Sequence, residues 1–289
     1  MRKLRILLLP ISWMYGLITS LRNSSYSWGI IPSWPIPAKS ICIGNLSVGG
    51  TGKTPLVDYI VQHFLLQNKK LATLSRGYGR STAGPQIVSM ESTATEVGDE
   101  TRMYKQKYGD QLLVAVAEKR KAGVELILKT QNNTNLIVLD DAFQHRAVKA
   151  GFSILVTEYN RPFFRDFMLP AGNLREAKIG RHRADLILVS KCPELSSEDK
   201  KRFQKALHMN GTPIFFSRIV YDKLKSFAHH SISDSIKNVL LVTGIGNPAP
   251  LHAYFKKNYR VEHLEFRDHH AFSAKDIRAI HEKFDTFAS

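Results

Sequence analysis

Cysteine is scarce. Cys42 and Cys192 stand far apart and outside any C-x-x-C spacing, which excludes a disulfide scaffold and a cysteine-built zinc site and suits a reducing compartment. Internal repeats and low-complexity tracts are missing, which excludes a solenoid and a long disordered region. Long apolar runs are missing too. The mostly apolar stretch from Ile6 to Leu21 is shorter than the roughly 20 residues an untilted spanning helix needs, and Pro10 interrupts it. Acidic charge is in deficit: 25 Asp and Glu face 41 Lys and Arg, leaving a formal net charge of +16. Such a field attracts nucleic acid, acidic lipid head groups or phosphorylated small molecules, and charge alone does not choose among them.

What is present is the composition of a globular protein, 43% hydrophobic and 10% aromatic over 289 residues, enough for one large domain or two unequal ones. Arg2, Lys3 and Arg5 precede the amino-terminal apolar run, Arg22 closes it, and Trp13 and Tyr15 lie among its leucines. Basic flanks with interfacial aromatics suit a helix lying in the cytoplasmic leaflet; a helix packed on the protein's own core is the alternative.

From residue 38 onward, short apolar runs alternate with helix-like stretches. Strands are predicted at Ser40–Gly44, Leu71–Ser75, Leu112–Ala117, Leu136–Asp140, Ser153–Thr157, Leu186–Ser190, Pro213–Phe216 and Val239–Thr243. Runs apolar throughout indicate strands covered on both faces, as in a mainly parallel sheet. Helices are predicted at Pro55–Gln67, Glu118–Lys129, Ser197–Met209 and Pro248–Lys256. The fold class is therefore α/β: a P-loop NTPase-like, mainly parallel sheet flanked by helices, a smaller carboxyl-terminal α/β lobe and an amino-terminal membrane-associated helix. The expected division is 1–25 for that helix, 26–160 for the core and 161–289 for a basic loop plus the second lobe. Pro162, Pro170 and Gly172 mark the boundary region, 158–183.

The most specific motif is SVGGTGKT, Ser47 to Thr54, between a predicted strand and a predicted helix. Gly49, Gly50, Thr51 and Gly52 let successive N–H groups turn toward phosphates, Lys53 reaches the β- and γ-phosphates, and the Thr54 hydroxyl suits Mg²⁺. Ser47 replaces the usual first glycine. A nucleotide loop so close behind the apolar run, with no small-residue cleavage site between them, argues against a secretory signal. Asp140 and Asp141 end a strand, where a carboxylate holds Mg²⁺ or its waters; the bland reading has Asp141 capping a turn. Arg175 and Glu176 sit in a stretch with Arg161, Arg165, Lys178, Arg181 and Arg183, either a phosphate or head-group site or a solvated basic loop.

Taken together, GNLSVGGTGKTP (44–55), SRGYGR (75–80), VGDE (97–100), LDDAFQH (139–145), LPAGNLRE (169–176), TGIGNP (243–248) and DHHAF (268–272) resemble the tetraacyldisaccharide 4'-kinases of lipid A biosynthesis, over nearly the whole chain. The resemblance implies an enzyme at the cytoplasmic face of a Gram-negative inner membrane that uses ATP and Mg²⁺ to phosphorylate the 4'-hydroxyl of a lipid-linked disaccharide 1-phosphate, giving lipid IVA. Its partners would be that lipid and an anionic membrane surface, with no nucleic acid and no obligate protein partner. It implies that Asp99 is the general base working with His269, that Lys53 acts on the phosphates, that Arg175 contacts phosphate, and that Thr54, Asp140, Asp141 and Glu176 serve the metal. On the residues alone, Asp99 reads as a helix amino-terminal acid and His269 as a surface histidine. The loop of Arg76 and Tyr78 faces the active site in the family; Gln144 and His145 either line the cleft or lie behind it. Ala142 stands where relatives usually have glycine, and relatives continue past Ser289 into a further motif, so the smaller lobe is expected to be truncated. Two other functions share the loop: a regulatory or metal-delivery NTPase, which calls for a His or Cys cluster, and a nucleic-acid-dependent ATPase, suggested by the charge.

Overall fold

The structure is a computed structural model that describes residues 5–209, 211–222, 224, 226, 236–268 and 270–288. The chain parts into two compact units, Met1–Ile219 and Val220–Ser289.

In the first unit, helix α1 (Leu9–Ser27) precedes β1 (Ser40–Gly44), α2 (Lys53–Leu65), β2 (Leu71–Ser75), β3 (Gln86–Ile87), α3 (Asp99–Tyr108), β4 (Leu112–Val116), α4 (Arg120–Thr130), β5 (Leu136–Asp140), β6 (Phe152–Glu158), β7 (Leu186–Ser190), α5 (Ser197–Leu207) and β8 (Ile214–Phe216). The eight strands form one sheet in the order β8-β7-β6-β1-β5-β2-β4-β3, parallel except for β3. Alternate residues of each central strand enter opposite cores, as a two-residue period requires. Ile137, Leu139 and Leu155 pack with Val124 and Ile127 of α4 and Phe203 and Leu207 of α5. Leu136, Val138, Ile154 and Val156 pack with Val57, Ile60 and Val61 of α2 and Tyr104 of α3. With β1 central, the loop after it opens at the carboxyl ends of the strands, the usual place for a ligand in such sheets.

Two sequence expectations change. Pro10 does not interrupt the amino-terminal helix: it sits in the first turn of α1, where a missing N–H costs nothing. The chain parts after β8, whereas the sequence reading set 161–289 apart, because β7 and β8 extend the same sheet. Within 158–183, the segment Phe163–Arg183 runs as two short 3-10 turns and bends, and its Phe163 and Leu174 are buried in the core.

The second unit holds β9 (Asn238–Thr243), α6 (Ala249–Lys256), β10 (Arg260–Glu265) and α7 (Ala274–Ala288), with β9 and β10 paired in parallel from Asn238↔Arg260 to Thr243↔Glu265. Its TGIGNP and DHHAF motifs meet at Gly246 and Asp268.

Candidate active site

The loop after β1 enters α2 through Gly52, which caps the helix in the left-handed region (φ 86°), a conformation that a side chain would strain. Gly49 is left-handed as well (φ 101°). The loop is fixed from both sides. Ser47 bridges Leu174 and the Val48 N–H donates to the Asn173 carbonyl at 2.8 Å, while the Ser190 hydroxyl donates to the Thr51 carbonyl at 2.7 Å and Lys191 Nζ to the Gly50 carbonyl at 2.5 Å. Asn45 Nδ2 donates to Thr51 Oγ1 at 2.8 Å. Ser47 has an ordinary backbone angle, so the departure from glycine costs nothing there. The first turn of α2 leaves its N–H groups without intrahelical partners, directed at the space an anion would fill.

Acidic groups gather opposite. Asp140, buried at the end of β5, receives a hydrogen bond from Tyr104 at 3.4 Å. Burial, then the charges of Glu100 and Asp141, push its carboxyl up to about 7. Asp141 follows in the left-handed region (φ 46°), and this, not the next residue, is the strained position. Ala142 needs no left-handed angle, so the loss of the family's glycine is accommodated. Arg175 grips Asp141 with both guanidinium nitrogens at 2.7 and 3.0 Å, and Lys53 Nζ lies 3.7 Å from the same carboxylate. Burial works to raise the Asp141 pKa, but the Arg175 fork and Lys53 outweigh it, and the group is held below the ordinary value. Thr54 Oγ1 donates to Glu100 at 2.9 Å.

Asp99 is the first residue of α3, directly after Gly98 (φ 92°). A Cβ on Gly98 would lie 3.2 Å from Gly77 Cα and 3.3 Å from its carbonyl carbon, so the SRGYGR loop packs backbone to backbone on the turn that presents Asp99 and Glu100. Ser81 N–H to Thr95 O at 2.8 Å closes the same contact. Arg80 is consumed there, gripping Glu118 and the Gly84 carbonyl, whereas Arg76 and Tyr78 are exposed, Tyr78 at 89%.

Glu176 sits apart from Asp141, 2% exposed and enclosed by hydrogen bonds from Gln144 (2.8 Å), Asn23 (2.8 Å) and Arg183 (2.6 Å). This is a fully partnered carboxylate at the root of α1. Tyr15 of α1 donates to the Arg175 carbonyl at 2.9 Å, Ser12 accepts the Ala171 N–H at 2.9 Å, and Arg5 grips Pro170, Gly172 and Asn173. His145 accepts the Arg120 N–H at 3.4 Å and is held neutral, its pKa lowered to about 4 by burial and then by Arg120. Asp268 lies in the second unit; His269 lies outside the described residues.

A family model described as tetraacyldisaccharide-1-P 4'-kinase matches residues 4–287. The chain belongs to that family. The tetraacyldisaccharide 4'-kinase of Flavobacterium psychrophilum is 43% identical over 98% of this chain and 84% of its own length, and that of Bacteroides thetaiotaomicron 39% identical over 96% and 77%. A solved structure of LpxK from Aquifex aeolicus in complex with ATP superposes with a TM-score of 0.74 at 30% identity, covering 94% of this chain and 84% of that one.

Two residues of this 4'-kinase site escaped the sequence reading. Glu100 was visible only as the neighbour of Asp99, yet one step along α3 brings it to Thr54 and close enough to Asp140 to raise its pKa. Arg120 belongs to no motif, yet it is buried with one guanidinium nitrogen 2.6 Å from the Ala117 carbonyl and the other 3.5 Å from the Asp140 carbonyl. Among the described residues no group of three or more His, Cys, Asp or Glu is arranged to hold a metal ion. The donor chemistry fits Mg²⁺ nonetheless, since that ion takes one or two carboxylates plus substrate phosphates, and Thr54, Glu100 and Asp140 present a hydroxyl and a concentration of negative charge at the loop.

Proposed function

We propose that the chain transfers the γ-phosphoryl group of ATP to the 4'-hydroxyl of a tetraacyldisaccharide 1-phosphate, forming lipid IVA at the cytoplasmic surface of a Gram-negative inner membrane. One observation carries the reading: in a chain of this family, Lys53 and Thr54 stand on a preformed phosphate loop directly facing Asp141 and Glu100.

The residues divide the work. Backbone N–H groups from Gly49 to Thr54 cradle the phosphates, and Lys53, released from Asp141 when phosphate arrives, neutralises charge on the γ-phosphoryl group. Arg175, which also holds Asp141 in register, is a second cation for phosphate oxygens. Mg²⁺ would be held by Thr54 with Asp140, Asp141 or Glu100, and would supply neutralisation of phosphate charge. Glu176, fully partnered by Asn23, Gln144 and Arg183, fits better as a brace for α1 than as a metal ligand. Asp99 is the proposed base; it accepts the hydroxyl proton as transfer proceeds, and the partnership with His269 that the resemblance implies concerns a residue outside the described ones. Support for the membrane surface comes from α1, whose Trp13, Met14, Leu17, Ile18 and Leu21 are exposed although its other face is bonded to the core. No helix among the described residues is long and apolar enough to cross a membrane, so a helix lying in the interface is the form this takes.

The test is label transfer from γ-labelled ATP to tetraacyldisaccharide 1-phosphate in detergent micelles. Labelled lipid is expected with the wild-type chain and none above background with Lys53→Ala. Asp99→Ala should lower kcat by about 100-fold or more with little change in ATP affinity. A wild-type kcat in that variant would remove Asp99 from the role of base.

A further inference from the structure

Helices α2 and α3 meet along a polar seam with a one-turn period. Thr54 and Asp58 stand four residues apart on α2, and Glu100, Tyr104 and Tyr108 four apart on α3, so each set lies on one face of its helix. The pairs match in order. Thr54 Oγ1 donates to Glu100 at 2.9 Å, the Tyr104 hydroxyl reaches the Thr54 carbonyl at 3.3 Å, and the Tyr108 hydroxyl donates to Asp58 Oδ1 at 2.7 Å, with the Asp58 carbonyl at 3.2 Å. Lys107 Nζ adds a bond to Asp58 Oδ2 at 2.5 Å. Apolar packing alone would set α3 loosely, because the residues it buries are Thr101, Tyr104 and Lys105.

Tyr104 does more than pack. Its side chain is fully buried in the cluster that holds Val57, Ile60 and Val61 of α2 and Val138 of β5, where the ring of a phenylalanine would fit as well. A hydroxyl buried there costs free energy unless it is hydrogen-bonded. Its two partners both belong to the site: the Thr54 carbonyl and, at 3.4 Å, Asp140 Oδ2. One oxygen, carried on the helix that begins with Asp99, thus touches the first turn of α2 and the carboxylate at the end of β5.

We infer that Tyr104 is a positioning residue for the metal, holding the Asp140 carboxylate against the first turn of α2 so that Thr54 and Asp140 meet Mg²⁺ already paired. The inference rests on the reading of Thr54 and Asp140 as the metal-facing groups. Glu100 and Asp141 repel the Asp140 carboxylate, and the Tyr104 bond is the counterweight that keeps Oδ2 turned to the seam. One turn further along, Tyr108 and Lys107 lock α3 to Asp58, so the Tyr104 hydroxyl does not drift along α2.

The experiment measures ATP affinity by calorimetry on the full chain, with Mg²⁺ and with EDTA, in the wild type and in Tyr104→Phe, which keeps the ring. Mg²⁺ should tighten ATP binding by the wild type. Tyr104→Phe should lose about tenfold of that tightening while its Kd for ATP in EDTA stays at the wild-type value. In the transfer assay its kcat should fall by about tenfold with the KM for lipid unchanged. Tyr108→Phe loosens the same seam one turn away from the site, and should lower Tm while leaving the Mg²⁺ effect whole, which separates positioning from packing. In an Asp140→Asn background, where the carboxylate that Tyr104 serves is gone, Tyr104→Phe should cost nothing further. An undiminished Mg²⁺ effect in Tyr104→Phe, or equal losses in the two tyrosine variants, would overturn the assignment. So would a wild-type chain that bound ATP with no gain from Mg²⁺. A wild-type chain that bound no ATP at all would instead sink the kinase reading itself.

Discussion

The surroundings of Asp140 oppose its ionisation. An acid whose folded pKa stands at about 7, above the ordinary value of 3.8, keeps its proton in the folded state while the unfolded chain has already lost it. Stability contributed by this group is therefore present below about pH 4 and is lost as pH rises toward 7. Asp140→Asn is expected to raise Tm by several degrees at neutral pH, with a smaller effect in acid, and to abolish lipid phosphorylation, read by thermal denaturation across pH beside the transfer assay. Mg²⁺ with ATP should stabilise the wild type more at pH 8 than at pH 5, and Asp140→Asn should lose that difference. His145 works the other way. Buried neutral with a pKa of about 4, it must charge on unfolding below its ordinary 6.5, so its contribution is full above that value and lost as pH falls toward 4. At this scale the sequence was readable where chemistry is local, as at Lys53 and Asp141. It was silent where chain-distant groups meet: Glu100 with Thr54, or Arg120 behind Asp140, pairings that only the sheet order creates.

Helix α1 has two jobs on two faces. Its inner face supplies Ser12, Tyr15 and Asn23 to the segment 171–176, one residue of which grips Asp141; its outer face is an apolar surface with Trp13 at 72% exposure. Trp13→Glu with Leu17→Lys should weaken binding to anionic phospholipid vesicles by about tenfold or more and leave ATP affinity unchanged, measured by co-sedimentation and by titration calorimetry. Asn23→Ala should do the reverse, sparing vesicle binding while lowering kcat several-fold, because it loosens Glu176 and with it the backbone that aims Arg175. Equal loss of both in either variant would deny that the faces are separable. The parallel strands of the sheet were legible to within about a residue because their apolar runs leave no other reading, whereas the two-residue antiparallel edge strand β3 was not foreseen. Helix α3 was missed because DETRMYKQKY shows almost no apolar period, burying only Thr101, Tyr104 and Lys105, and β10 because RVEHLE carries charge on an exposed unit.

For the molecule as a whole, the charge of +16 and the exposed face of α1 act together. Vesicle binding should fall steeply as salt screens the basic groups, yet retain a salt-resistant remainder from the buried apolar face, whereas binding to duplex DNA, purely electrostatic, should vanish over the same range. ATP turnover that rose on adding DNA would revive the nucleic-acid reading. Fold class and most of the order of βα elements were legible in the first unit, β3 and α3 excepted. The parting of the chain was not, since a boundary drawn from prolines and charge cannot register that β7 and β8 add to a sheet begun before residue 50.

The backbone contact between Gly77 and Gly98 ties together two pieces of chain that carry different cargo: exposed Arg76 and Tyr78 on one side, Asp99 and Glu100 on the other. With no side chain between them, neither can open alone. Amides on both sides should then exchange with solvent as one cooperative unit, with matched opening free energies that shift together when ligand binds. Gly77→Ala would split that unit, and the loop of Arg76 and Tyr78 would then fluctuate out of step with Asp99 and Glu100.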